Sequence, residues 1–138
     1  MLPFNGLHQS TLDKLYLEFR IGICEALLKN HPDSIDILME LGNLYTSCGR
    51  YEDGLKIDLR LVSLLPSNPV VHYNLACSYS LLERKEEAFS ALEKALDLGF
   101  SDFTLLLKDK DLNNIRSDPR FRPLLTRCQK NKQKQKSL

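Results

Sequence analysis

Two stretches of this chain line up at an offset of 34 residues. Leu38-Met39-Glu40-Leu41-Gly42-Asn43-Leu44-Tyr45 falls on His72-Tyr73-Asn74-Leu75-Ala76-Cys77-Ser78-Tyr79. Pro32 falls on Pro66, Phe100 follows at the same interval, and Leu61-Val62 stands opposite Ala95-Leu96. A period of this length marks a supersecondary unit that cannot bury its apolar side alone and therefore stacks on its neighbour.

Within each unit, apolar residues recur every three or four positions, which predicts two short amphipathic helices joined by a tight turn. Ile35, Leu38, Leu41, Leu44 and Tyr45 form one stripe. Gly49 ends that helix, and Tyr51 opens a second with Leu55, Leu59, Val62 and Leu65 on one face. Asn68 and Pro69 predict the N-cap and first helical position of the next unit. Its second helix carries Ala88, Leu92, Ala95 and Leu96 and closes at Gly99. Small residues at Gly42 and Ala76 allow close helix approach. The sequence contains no strand-like alternation.

These residues resemble the tetratricopeptide repeat, whose first helix carries W-x2-L-G-x2-Y and whose second carries Ala, an aromatic and Ala before a Pro. The first unit presents Leu38 in the Trp place, then Leu41, Gly42, Tyr45, Tyr51 and Pro66, and departs at Gly54, Asp58 and Leu61. The second presents His72 in that place, then Leu75, Ala76, Tyr79, Ala88, Leu92 and Ala95. The resemblance implies an all-α, right-handed α-superhelix, a solenoid of about six to seven helices. Its length of 138 residues predicts a single domain. In that domain, residues 10–34 are an N-terminal capping half-repeat, 35–68 and 69–100 the two units, 101–128 a C-terminal helical cap, and 129–138 a basic frayed tail.

The two caps rest on further signals. Leu12 to Leu28 reads as one helix with Leu12, Leu15, Phe19, Ile23 and Leu27 on a common side, and Ser10 with Asp13 predicts a capping box at its start. Phe4 and Leu7 fall where a preceding helix would place its anchors, but Pro3 and Gly6 disfavour that helix. Downstream, Leu98-Gly99-Phe100-Ser101-Asp102-Phe103, Asp111 to Arg116 and Asp118-Pro119-Arg120-Phe121 are similar to an ending common in short bacterial tetratricopeptide proteins. There, Asp118 and Pro119 predict a helix start, with Phe121, Leu124 and Leu125 packing back.

The net charge of +1 creates no field for nucleic acid or membrane, but it hides an asymmetry. Residues 1–107 carry 9 Lys and Arg against 15 Asp and Glu, whereas residues 108–138 carry 10 against 3. Cys24, Cys48, Cys77 and Cys128 form no CxxC pair, and neither His8, His31 nor His72 completes a zinc-ligand spacing. The thiols read as small hydrophobes in a reducing compartment, and no metal or cofactor is expected. The N-terminal stretch lacks a basic region followed by an apolar one, and the apolar runs are too short for a bilayer, so a cytoplasmic location without membrane partners is expected.

No Gly-rich phosphate loop, GxSxG elbow or HExxH helix is present. Asp109 with Asp111, and Glu86 with Glu87, read as solvated surface runs, and His72 as a packing residue. The chain is therefore expected not to be an enzyme. The resemblance instead implies binding on a concave side lined by the first helix of each unit. Carrying the family's groove positions over gives Asp36, Met39, Glu40, Asn43 and Thr46, then Val70, Tyr73, Asn74, Cys77, Ser80 and Leu81. Asn43 and Asn74 stand where chaperone-binding members hold a C-terminal carboxylate. Met39 replaces the Lys they use, and Lys108 is the only near match for their third-helix cations, so that clamp is incomplete.

The expected function is a scaffold or adaptor that takes a peptide or helix of a partner protein in this groove. Two alternatives are a small secretion-type chaperone and an RNA-associated factor using Arg127, Lys130, Lys132, Lys134 and Lys136. The tail lacks interleaved aromatics for base stacking, which disfavours nucleic acid. Self-association through an exposed helix stays open.

Overall fold

The structure, a computed structural model, describes residues 6–137, with side chains from Ser10 onward. Eight α-helices follow one another without a strand among the described residues: α1 (Gly6–Asn30), α2 (Ile35–Ser47), α3 (Tyr51–Leu64), α4 (Pro69–Leu81), α5 (Lys85–Asp97), α6 (Phe103–Lys108), α7 (Asn113–Arg116) and α8 (Phe121–Lys136). A 3-10 turn, Lys110–Leu112, joins α6 to α7. The count exceeds the expected six or seven because the C-terminal block breaks into shorter pieces. No helix among the described residues is long and apolar enough to cross a membrane. The chain divides into two compact units, Met1–Ile57 and Asp58–Leu138.

In the first unit α1 packs on α2. Ile21 and Cys24 are buried against Leu41, Leu44 and Tyr45, with Leu17, Leu28, Ile37, Cys48 and Ile57 closing the cluster. Each fully buried Leu or Ile contributes roughly 1.5–3 kcal/mol, so this cluster holds the pair together. At one edge the Tyr45 hydroxyl donates to Glu25 Oε1 at 2.6 Å, and the Arg50 guanidinium lies over the Tyr45 ring at 4.5 Å. Burial first, then the Glu25 carboxylate, raises that phenol to about 12. At the other edge Arg20 pairs with Glu40.

Two expectations about α1 are corrected. Its backbone is already helical at Gly6, so Ser10 lies inside the helix and caps nothing. A lone Ser is only mildly unfavourable in a helix interior, and one cap signal does not stop a helix that can extend upstream. The side read as its apolar stripe is also not the one that packs. Leu17, Ile21, Cys24 and Leu28 face α2, while Leu12, Leu15, Phe19, Ile23 and Leu27 are exposed. Phe4 and the side chain of Leu7 lie outside the described residues.

In the second unit Asn68 caps α4 as expected, accepting from the amides of Val70 at 2.8 Å and Val71 at 3.3 Å, with Pro69 at the first turn. Against α4 lies α5, which buries Ala88, Phe89, Ala91, Leu92, Ala95 and Leu96. His72 is buried, and its Nε2 lies 2.8 Å from the Pro66 carbonyl oxygen, a packing role that fixes the turn before the helix. Phe121, Leu124 and Cys128 of α8 pack onto α5 and α6, with Leu125 half-buried. Asp118 caps the turn before α8, accepting the Arg120 amide at 2.9 Å, so the helix proper starts two residues later than its Pro119 suggested.

The basic tail also differs from expectation, because α8 runs to Lys136. Asn131 Nδ2 donates to the carbonyls of Leu96 at 3.0 Å and Phe100 at 2.9 Å, and Ser101 Oγ donates to Gln135 at 2.8 Å. Lys and Gln are good helix formers, and these anchors add to that preference.

Three helix ends share one geometry. The amides of Gly49 and Arg50 reach back to the carbonyls of Thr46 and Tyr45. Those of Glu83 and Arg84 reach back to Ser80 and Tyr79, and those of Gly99 and Phe100 to Leu96 and Ala95. This paired pattern needs a left-handed residue at the turn, found at Gly49 (φ 76°), Glu83 (φ 59°) and Gly99 (φ 99°).

Candidate protein-binding surface

The residues assigned to one groove fall into an open set and a covered set. On α2, Asp36, Met39, Glu40, Asn43 and Thr46 recur on one side of the helix, since residues three and four apart are neighbours. Asp36 and Asn43 are exposed, and Met39, Glu40 and Thr46 are half-buried. Glu40 is held by Arg20, and the Thr46 hydroxyl donates to the Gly42 carbonyl at 3.1 Å. This face offers water an acid, an amide and a thioether side by side.

On α4 the equivalent face is occupied by the chain itself. Val70 is exposed and Asn74 and Leu81 are half-buried, but Tyr73, Cys77 and Ser80 are buried. Tyr73 stacks on Phe100 with ring centroids 4.3 Å apart and planes within 5°, and its hydroxyl donates to Asp109 Oδ2 at 2.7 Å. Cys77 Sγ lies 3.8 Å from the same oxygen. Asn114 Nδ2 donates to the Ser80 carbonyl at 2.8 Å, and Leu106, Leu112 and Ile115 are fully buried beneath these contacts. The 3-10 turn and α7 thus seat on α4.

Asp109 is the hinge of this arrangement and corrects its reading as a solvated surface acid. Its Oδ1 accepts the Asp111 amide at 3.0 Å, which starts the 3-10 turn, and its Oδ2 turns toward α4. Arg116 clamps the same bend by donating to the carbonyls of Asp109 at 2.7 Å and Leu106 at 3.2 Å. Asp109, Asn114 and Arg116 were not singled out for this role from sequence. The Asp-x-Asp-Leu order carries a cap signal, but nothing local shows which helix the free oxygen will meet. Glu86 and Glu87 do lie at the surface, paired with Arg120 and Arg84.

The electrostatics of the cluster favour a latch over chemistry. Burial pushes the Tyr73 phenol far above its ordinary range, and Cys77 and Asp109 add to the effect. Burial, then the Asp109 charge, pushes the Cys77 thiol well up and also raises Asp111. A thiol held neutral is a poor nucleophile and a poor metal ligand. Cys77, Asp109 and Asp111 do bring ligand atoms within 4.8 Å of one another, but both Asp109 oxygens already accept protein donors. Lys108, the near match for a carboxylate clamp, is exposed beside this bend and outside the α4 contact.

Comparison with known proteins places this geometry. The sequence profile described as "Tetratricopeptide repeat" matches residues 70–98. A solved structure titled "MamA RS-1 ArsTM double mutant" superimposes with a TM-score of 0.69 at 20% identity, covering 96% of this chain and 74% of that one. Residues 70–98 thus carry a tetratricopeptide repeat, and the chain as a whole shares the fold of that structure. A second structure, "Crystal structure of MamA", superimposes with a TM-score of 0.56 at 14% identity, covering 99% of this chain and all of that one. At these identities the likeness concerns the fold. Among curated sequences, a chloroplastic protein of Arabidopsis thaliana is 39% identical over 90 residues, 61% of this chain. The chain spans about a quarter of that relative's length. Tetratricopeptide units serve as protein-binding scaffolds.

Proposed function

We propose that this tetratricopeptide chain is a non-enzymatic adaptor that binds a peptide or helix of a partner protein through the α2 face. Asp36 and Asn43 supply the polar contacts, Met39 the adaptable apolar one, with Glu40 and Thr46 at the rim. The carrying observation is that this face stays open while its counterpart on α4 is filled by the chain's own C-terminal block. Asn can donate to and accept from an extended backbone, and the acids favour a partner segment with positive charge. On α4, Tyr73, Cys77 and Ser80 act by seating the block. The non-enzymatic reading draws on the latch, which commits the Tyr73, Cys77 and Asp109 cluster to structure. The four unpaired cysteines support a reducing compartment such as the cytoplasm.

The test is affinity capture with the wild type and an Asp36→Ala/Asn43→Ala double variant, both verified as folded by circular dichroism, with Lys132→Ala on α8 as control. A partner retained by the wild type and the control should fall at least about tenfold on the double variant. Equal retention on all three would remove the α2 face from consideration.

A further inference from the structure

α1 carries a second apolar side that the described residues leave exposed. Leu12, Leu15, Tyr16, Phe19, Ile23 and Leu27 are each between 44 and 66% exposed. Their spacings of three, one, three, four and four residues place them on one stripe, about 23 Å long at 1.5 Å per residue. The stripe lies well round the helix from Leu17, Ile21, Cys24 and Leu28, which meet α2. Singly exposed apolar residues are ordinary, but a contiguous stripe of six is not. The second helix of the other unit shows the contrast: α5 is packed by α4 and again by α7 and α8.

We propose that this stripe is a self-association face, which pairs α1 antiparallel with α1 of a second copy. Three observations select a second copy as the occupant. The stripe is nearly palindromic, so a two-fold axis between Phe19 and Arg20 sets Leu12 against Leu27 and Tyr16 against Ile23, with the Phe19 side chains of the two copies flanking the axis. Such a self-complementary pattern is what an isologous contact requires. The exposed fractions amount to roughly 600 Å² per copy, or about 1,200 Å² for a pair, the lower bound of specific interfaces. The charges along α1 balance, with Asp13, Glu18 and Glu25 against Lys14, Arg20 and Lys29, and the whole chain carries only +1, so two copies approach without net repulsion. The inference is independent of the α2 reading, because the residues of the two faces do not overlap.

Sedimentation velocity on the full chain, across roughly a hundredfold range of concentration, tests it. The wild type should move from monomer to dimer as concentration rises. Phe19→Glu and Phe19→Lys place like charges close together on either side of the two-fold axis, so each alone should weaken pairing by at least about thirtyfold. An equimolar mixture of the two variants should recover the dimer, which neither a misfolded variant nor an unrelated contact would give. Because Phe19 is exposed, circular dichroism should be unchanged in both. A wild type that stays monomeric throughout, a dimer that persists in both single variants, or a mixture that stays monomeric would each overturn the proposal. A stripe that instead retains a helix of another protein while the chain stays monomeric would overturn it as well.

Discussion

Glu83 is a non-glycine residue at φ 59°, held there because the amides of Glu83 and Arg84 close the end of α4. Left-handed backbone costs an L-residue with a Cβ roughly 1–2 kcal/mol, and the two sister turns use Gly49 and Gly99. Glu83→Gly should therefore raise the unfolding free energy by about 1 kcal/mol in urea titration, after allowing for the greater freedom of Gly in the unfolded chain. Asp58 is the second residue out of pattern, standing where the repeat family prefers an aromatic. It is buried, and the Ser78 hydroxyl donates to its Oδ2 at 2.5 Å. Burial raises its pKa to about 6, an effect that the Ser78 hydrogen bond partly offsets. Since the folded value lies above the unfolded one near 3.9, folding favours the protonated acid. That stability is fully present below about pH 4 and is lost as pH rises through about 6, on the order of 3 kcal/mol in all. Asp58→Asn keeps a polar partner for Ser78 without the charge. The wild type should thus become progressively less stable than this variant between pH 4 and 7 in parallel denaturation series. A pH-independent difference would refute the assignment.

Among elements, the C-terminal block shows how far local signals reach. Asn68 with Pro69, and Gly49 and Gly99, mark helix ends through chemistry within a few residues, and the structure follows them. Equally local is the period of α2 and α5. The tail is where local reasoning stopped short, because its helix is anchored by Asn131 on carbonyls more than thirty residues earlier. Phe121 carries the packing of α8, being 1% exposed with the Arg116 guanidinium 5.6 Å from its ring centroid. Phe121→Ala should cost about 3–5 kcal/mol in unfolding free energy, since it empties a large volume that neighbouring helices refill only partly. A loss under about 1 kcal/mol would mean that the block does not add to the core.

For the whole molecule, availability of surface matters more than identity of residues. The family resemblance selected a face on α2 and one on α4 in the same way, and the two have different fates: α2 remains open for the proposed adaptor role, while Phe100, Asp109 and Asn114 engage α4. On α1, two apolar stripes compete for one neighbour, and the losing stripe becomes the proposed pairing face. The amino-acid order by itself determined the repeat, the helices and their turns, because helical period and capping are properties of residues within one or two turns of each other. Only the tertiary structure decided which stripe of α1 turns inward and that the C-terminal block covers α4. Both are contests between surfaces of similar hydrophobicity, and their outcome depends on shape and on hydrogen bonds between residues 20 to 36 positions apart, which no local pattern encodes.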